Sequence, residues 1–174
     1  MTADTIPVSA FMICFNEERV IEPSLRALSR FDEILVVDSG STDRTVEIVE
    51  GLRGEGLPVR LMHHDWAGFG AQKQYALEQC RCEWVFNVDA DEFAEPKLVA
   101  AIAEAVASPG ETAGFSVERR QWIPGYGYTH PLVKNDRIVR LVRCARAHYD
   151  PEQTIHESLH VDGVIGKIGG GVLL

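Results

Sequence analysis

The sequence contains no stretch near the roughly 18 consecutive apolar residues that a membrane span needs, so no spanning helix is expected. Its first ten residues, MTADTIPVSA, lack a charged segment followed by a long apolar one, and no secretory leader is expected. Cysteine is scarce and irregular. Cys14, Cys80, Cys82 and Cys144 are the whole set; C-R-C at 80–82 has the wrong spacing for a zinc knuckle, and no second pair follows. Cys14 lies in an apolar run and reads as core. These features fit a soluble protein of a reducing cytoplasm. Basic excess is missing too: the net charge is −9 and the pI near 5.1. A nucleic-acid binder carries a basic footprint, so nucleic acid is not an expected partner. No G-x-x-x-x-G-K-[ST] phosphate loop occurs. The acidic stretch DSGSTD fails as a calcium loop, because counting from Asp38 places Asp43 at the glycine position and Val49 at the final glutamate.

What is present is a chain of 174 residues, 45% hydrophobic and 25% charged, enough for one domain over 1–174. Short apolar runs at 8–14, 33–37, 59–63 and 83–88 read as strands. Helical spacing follows each of them: Ile21, Leu25 and Leu28 within 17–30; Val46, Val49 and Leu52 after a Thr42 or Asp43 cap; the segment 69–80; and Leu98, Ile102 and Val106 after Pro96. Four strand–helix alternations predict a mostly parallel sheet with helices on both faces. Beyond residue 109 the character changes. GFSVERRQW and RIVRLVR read as strands with no helix between them, and IPGYGYTHP as a long aromatic loop. The final GKIGGGVLL is apolar, which suggests either a shortened C-terminus or a strand whose partners lie further on. Charge divides at the same place: residues 1–109 hold 19 acidic and 9 basic side chains, a net of −10, whereas 110–174 hold 7 and 8, a net of +1. Arg119, Arg120, Lys134, Arg137, Arg140, Arg143 and Arg146 lie in the second part, as a solvated face or a surface toward an anionic substrate.

Ligands of open parallel α/β sheets bind beyond the carboxyl ends of the strands. Here those ends are Asn16-Glu17-Glu18, Asp38-Ser39-Gly40, His63-His64-Asp65 and Asp89-Ala90-Asp91-Glu92. The three acids of the last group repel one another. Mg²⁺ takes one or two carboxylates and completes its shell with phosphates and water, so D-x-D at a strand end is a fitting half-site. Lys73 is the sole lysine of the first 96 residues and a natural partner for a diphosphate. His63 and His64 point to opposite faces of a strand and are a poor metal pair. Trp66 and Phe69 are expected to pack their loop on the core. Trp122, Tyr126 and Tyr128 are equally suited to stacking on a sugar or to plain packing.

CFNEE, EILVVDSGSTDRTVEI, DWAGFGAQKQYAL and WVFNVDADE follow one another as in the family 2 inverting glycosyltransferases. With the later RIVRLVR and IHESL, the chain resembles most the subgroup that adds glucose in a β-1,4 linkage to the lipopolysaccharide inner core. The resemblance covers roughly residues 6–170. It implies a GT-A fold, Rossmann-like, with a nucleotide-sugar half at 1–109 and an acceptor-side half at 110–174. It implies a nucleotide-diphosphate sugar donor, with UDP-glucose expected, a saccharide or lipid-linked acceptor, Mn²⁺ or Mg²⁺, and peripheral contact with the inner membrane face. By resemblance Asn16 and Glu17 lie beside the nucleoside, Asp38 and Ser39 at the base or ribose, Lys73 on the nucleotide, Asp89 near ribose and metal, and Asp91 on the metal; Glu92 orients Asp91 or a water. The general base is assigned to Glu157, with His156 as helper, Asp136 as runner-up and Asp150 third. Relatives of this kind run on past residue 174, and PLVKND departs from their more aromatic segment. Two alternatives stand beside this reading. One is a non-catalytic or incomplete nucleotide-sugar-binding module. The other, a sugar nucleotidyltransferase, is disfavoured by the acidic, glycine-free CFNEERV where a Gly-rich basic loop belongs.

Overall fold

The computed structural model of the protein describes residues 5–129, 136–152 and 158–174. The alternation read from the sequence is present: β1 (Ile6–Cys14), α1 (Ile21–Ala27), β2 (Phe31–Asp38), α2 (Thr45–Gly54), β3 (Val59–His63), α3 (Phe69–Gln79), β4 (Trp84–Asn87) and α4 (Pro96–Ala107). There follow β5 (Thr112–Arg119), the short pair β6 (Trp122–Ile123) and β7 (Gly127–Tyr128), β8 (Asp136–Arg143), a 3-10 turn at Cys144–Arg146, β9 (Ala147–Tyr149), β10 (Leu159–Val161) and β11 (Val164–Leu173). Among the described residues the main sheet has seven strands in the order β11-β5-β8-β4-β1-β2-β3. β1, β2, β3 and β4 pair in parallel, as do β5 and β11; β8 runs antiparallel between β4 and β5.

The period-2 alternation of the strands sorts their side chains onto two cores. On one face Val8, Ala10, Met12, Ile34 and Val36 pack with Ile21, Leu25, Val49, Leu98 and Ile102 of α1, α2 and α4. On the other, Phe11, Leu35, Val37 and Val85 pack with Ala76 and Leu77 of α3 and with Tyr149 of β9. Both faces being covered explains why β1 and β2 read as continuous apolar runs.

Three expectations change. The helix expected over 17–30 is confined to α1, because residues 17–20 form a turn tied to the start of α2: the Glu17 N–H donates to Thr45 Oγ1 (2.8 Å) and the Glu18 N–H to Asp43 Oδ2 (3.1 Å). Within 122–128 the aromatic segment is a small hairpin, β6 on β7, turning through Gly125 at φ +81°. The apolar C-terminal run is β11, which finds its partner in β5 and then reaches the acidic segment after β4: Phe93 and Leu174 exchange backbone hydrogen bonds at 2.6 and 2.9 Å.

Candidate active site

The strand ends converge as the topology requires. Asn16 closes β1 with φ +57°, a left-handed backbone that asparagine tolerates better than most residues. Its Oδ1 accepts from the N–H groups of Thr42 (2.8 Å) and Asp43 (3.3 Å), lashing the first strand end to the second. Asp43 in turn accepts from the N–H of Thr45 (2.9 Å), the first residue of α2. Asp38 is buried, and its carboxylate is engaged locally: it accepts from the N–H of Gly40 (2.9 Å), the N–H of Ser41 (3.0 Å) and the Ser41 hydroxyl. The Cys14 thiol points at the same carboxylate, and burial together with Asp38 pushes its pKa up. Ser39 receives the Gln72 amide of α3 (2.9 Å), which also donates to the His64 carbonyl (2.9 Å). His64 stacks on Tyr75, whereas His63 turns to Asp65 (3.0 Å), so the two imidazoles part company.

Three clefts border this edge. The first, of about 520 Å³, is lined by Ile13, Cys14, Phe15, Glu17, Ser39, Trp66 and Phe69. Trp66 and Phe69, expected to pack inward, are half exposed and meet edge to face over this opening. Glu17 stands at its rim; burial and the nearby Asp91 and Asp43 carboxylates raise its pKa. The second, about 560 Å³, runs past Lys73, Asn87, Asp89, Arg119, Arg137, Arg140, Tyr149 and Ser158. The third, about 550 Å³, lies between Asp89, Asp91, Glu92, Arg119 and Arg120 on one side and Trp122, Ile123 and Tyr128 on the other. Asp89 and Arg119 border both of the last two.

The acids after β4 have three different fates. Asp89 has Lys73 Nζ on Oδ1 (2.9 Å) and Arg140 Nη2 on Oδ2 (2.7 Å). Burial alone would raise its pKa, but the two cations win and hold it well below the usual carboxylate range. Glu92 is buried between Arg140 Nη2 (2.7 Å on Oε1) and the Asp89 N–H (3.0 Å on Oε2). Burial leads there, and its pKa is raised. Asp91 is exposed and makes no hydrogen bond or ion pair to any described residue.

Arg140 was legible only as one of three spaced arginines, expected to grip phosphates or be solvated. It is not solvated. At 4% exposure it lies between Asp89, Glu92 and the Asn87 side-chain oxygen. Arg137 instead caps the Ser116 and Ile168 carbonyls (2.7 Å each), and Arg143 lies over the Trp84 ring and on Glu83. Asp136 pairs with Arg119 (2.7 Å), its cross-strand neighbour in the β5–β8 register. That ion pair disfavours a free base at this position, because abstraction of a proton needs an available carboxylate. Asp150 accepts from the Glu152 N–H (2.9 Å). Glu157, His156 and Lys134 lie outside the described residues.

The donor chemistry fits a divalent ion with an incomplete protein shell. Among the described residues no group of three His, Cys, Asp or Glu side chains is placed to hold a metal. Asp91 offers one free carboxylate on the wall of the third cleft, which has room for phosphate oxygens, the arrangement Mg²⁺ accepts.

The 3-2-1-4 parallel core with an antiparallel strand inserted beside it is a mixed α/β sheet of the GT-A type, as in the solved structure of S. aureus TarS. Known proteins agree. Residues 9–157 match the family model "Glycosyl transferase family 2", so the chain belongs to glycosyl transferase family 2. It is 42% identical over 169 residues to the lipopolysaccharide core biosynthesis glycosyltransferase LpsC of Rhizobium meliloti, covering 97% of this chain and 63% of that protein. The chain therefore spans less than two thirds of that relative's length. Its fold superposes on the crystal structure of S. aureus TarS 1–349 with a TM-score of 0.69 at 20% identity, over 95% of this chain and 59% of that one. The mannosyltransferase PcManGT of Pyrobaculum calidifontis, solved with GDP-Man and Mn²⁺, superposes with a TM-score of 0.57 at 26% identity, over 66% of this chain and 36% of that one. Among the described residues no helix is long and apolar enough to cross a membrane.

Proposed function

We propose that the chain carries the donor-binding and catalytic part of an inverting glycosyltransferase. It moves a hexose, glucose from UDP-glucose, onto a saccharide or lipid-linked acceptor during lipopolysaccharide core synthesis at the inner face of the cell envelope. The observation that carries this reading is the free, exposed Asp91 at the end of β4, in a family 2 chain that is 42% identical to a lipopolysaccharide core enzyme. The nucleoside enters the first cleft, where Trp66 and Phe69 give ring faces and Glu17 and Ser39 give polar atoms. Asn16 and Asp38 shape that cleft through the turns they tie. Lys73 and Asp89, joined to each other, face the diphosphate. A divalent ion, Mn²⁺ or Mg²⁺, held by Asp91 would supply Lewis-acid neutralisation of the departing diphosphate. The acceptor approaches along the β6–β7 hairpin, with Trp122 and Tyr128 as stacking faces. Glu157, with His156 beside it in sequence, takes the proton from the acceptor hydroxyl; the ion pair of Asp136 with Arg119 leaves Glu157 the better base.

Transfer tests this. Wild-type protein with UDP-glucose, Mn²⁺ and a cell-envelope saccharide extract is expected to release UDP only when the extract is present. Glu157→Gln is expected to bind UDP as the wild type does and to transfer about 10²–10⁴-fold more slowly. Full transfer by that variant removes Glu157 from the role. No UDP or GDP release from any nucleotide sugar removes the reading itself.

A further inference from the structure

The acidic turn after β4 presents six carboxylate oxygens, and four of them are already engaged. Asp89 Oδ1 is on Lys73, Asp89 Oδ2 on Arg140, Glu92 Oε1 on the same Arg140 nitrogen, and Glu92 Oε2 on the Asp89 N–H. The two that remain belong to Asp91. Arg140 is placed to do this by the sheet: the β4–β8 register pairs Phe86 with Leu141, so the next residue back along β8 stands beside Asn87. Its Nη1 donates to the Asn87 side-chain oxygen, its Nη2 bridges the two carboxylates at 2.7 Å each, and its Nε is buried with no partner among the described residues. The guanidinium therefore sits where a metal shared by Asp89 and Glu92 would have to be. A buried, forked cation with three acceptors is costly to expel, because it would leave unpaired charges behind.

We infer that Arg140 is a built-in counter-cation that limits the protein's share of the metal shell to Asp91, so that a divalent ion and a nucleotide diphosphate bind only together. This rests on the reading of Asp91 as the metal ligand. One carboxylate leaves most of the shell of Mg²⁺ or Mn²⁺ to other oxygens, and the diphosphate is their source. Linkage then requires each ligand to raise the affinity for the other by the same factor. Arg140 is a positioning residue in this scheme, since it acts through Asp89 and Glu92.

Calorimetric titration separates the possibilities. Mn²⁺ alone, UDP or GDP alone, and nucleotide in saturating Mn²⁺ are titrated into the wild type, Arg140→Met and Arg140→Lys, with circular-dichroism melts to confirm folding. In the wild type the Mn²⁺ affinity is expected to rise about 10-fold or more on adding nucleotide. Arg140→Met releases Asp89 and Glu92 toward the ion; it is expected to bind Mn²⁺ without nucleotide, and the coupling shrinks toward unity. Arg140→Lys keeps the charge and is expected to keep most of the coupling. Wild-type protein that binds Mn²⁺ as tightly alone as with nucleotide overturns the inference, and that comparison stands even if Arg140→Met does not fold. A folded Arg140→Met as nucleotide-dependent as the wild type overturns it too. Failure of both nucleotides to bind counts against the glycosyltransferase reading instead, while the gain of Mn²⁺ binding in Arg140→Met still decides the role of Arg140.

Discussion

Asp91, Asp89 and Glu92 stand within four residues of one another, yet their surroundings give them different chemistry. Two are neutralised by cations from α3 and β8, and one is left to the solvent. Lys73 is nearly as buried as Arg140. Replacing it with methionine leaves Asp89 with a single cation and is expected to lower stability by about 3 kcal/mol in urea denaturation. An unchanged midpoint contradicts the pairing. Glu33, away from the site, gives a pH prediction. Burial raises its pKa, but hydrogen bonds from Ser9, the Arg81 N–H and Arg60 outweigh that, and the net shift is downward. A depressed folded pKa means stability that is complete above the ordinary glutamate value of about 4.3 and lost as pH falls through the folded value. Glu33→Gln is expected to flatten the acid limb of stability below about pH 5, where the unfolded chain's carboxyl begins to take up its proton before the folded one does. A limb as steep as the wild type's contradicts it. The sequence made the D-x-D pattern and Lys73 legible, since both are local. Arg140 was not legible: its partners lie 48 and 51 positions away, and an arginine flanked by valine and leucine reads the same whether its head is solvated or buried.

At the scale of elements, the strands and helices of the first half announce themselves through period-2 and period-3.6 patterns. The β6–β7 hairpin does not, because two-residue strands are too short to show alternation. The role of β11 was hidden for another reason: a glycine-rich apolar tail does not say what it pairs with. In the fold, Gly171 has φ +104°, and a Cβ there would run into the backbone of Leu98 at the start of α4. Gly171→Ala is therefore expected to cost about 3 kcal/mol or more, from backbone strain together with overpacking. Because Val172 of β11 and Leu174 just after it hydrogen-bond Glu95 and Phe93, the same variant should loosen the acidic turn, and a thermal melt with and without Mn²⁺ and UDP reads both effects. A melt matching the wild type contradicts this account of the turn. Trp122→Ala should do the opposite. The ring is 62% exposed, so stability should change by no more than about 0.5 kcal/mol, while acceptor KM rises. Unchanged acceptor kinetics remove the hairpin from acceptor binding.

Across the whole molecule the acidic and basic parts meet where β4 packs on β8. The segment 1–109 carries a net of −10 and would repel a diphosphate; Arg119, Arg137 and Arg140, from the other segment, line the cleft beside Asp89. A site at this seam couples its ligands to the stability of the sheet. At ligand 100-fold above Kd, Mn²⁺ with UDP should add about 2.7 kcal/mol, or roughly 5–10 °C in Tm, and chelation by EDTA should remove the gain. The most direct measurement is calorimetric titration of the protein with UDP-glucose, with and without Mn²⁺, beside Asp91→Asn. Metal-dependent binding in the wild type that disappears in the variant is the expected result. Binding that ignores both Mn²⁺ and the Asp91 substitution contradicts the account, as does a failure to bind UDP-glucose or any other nucleotide sugar.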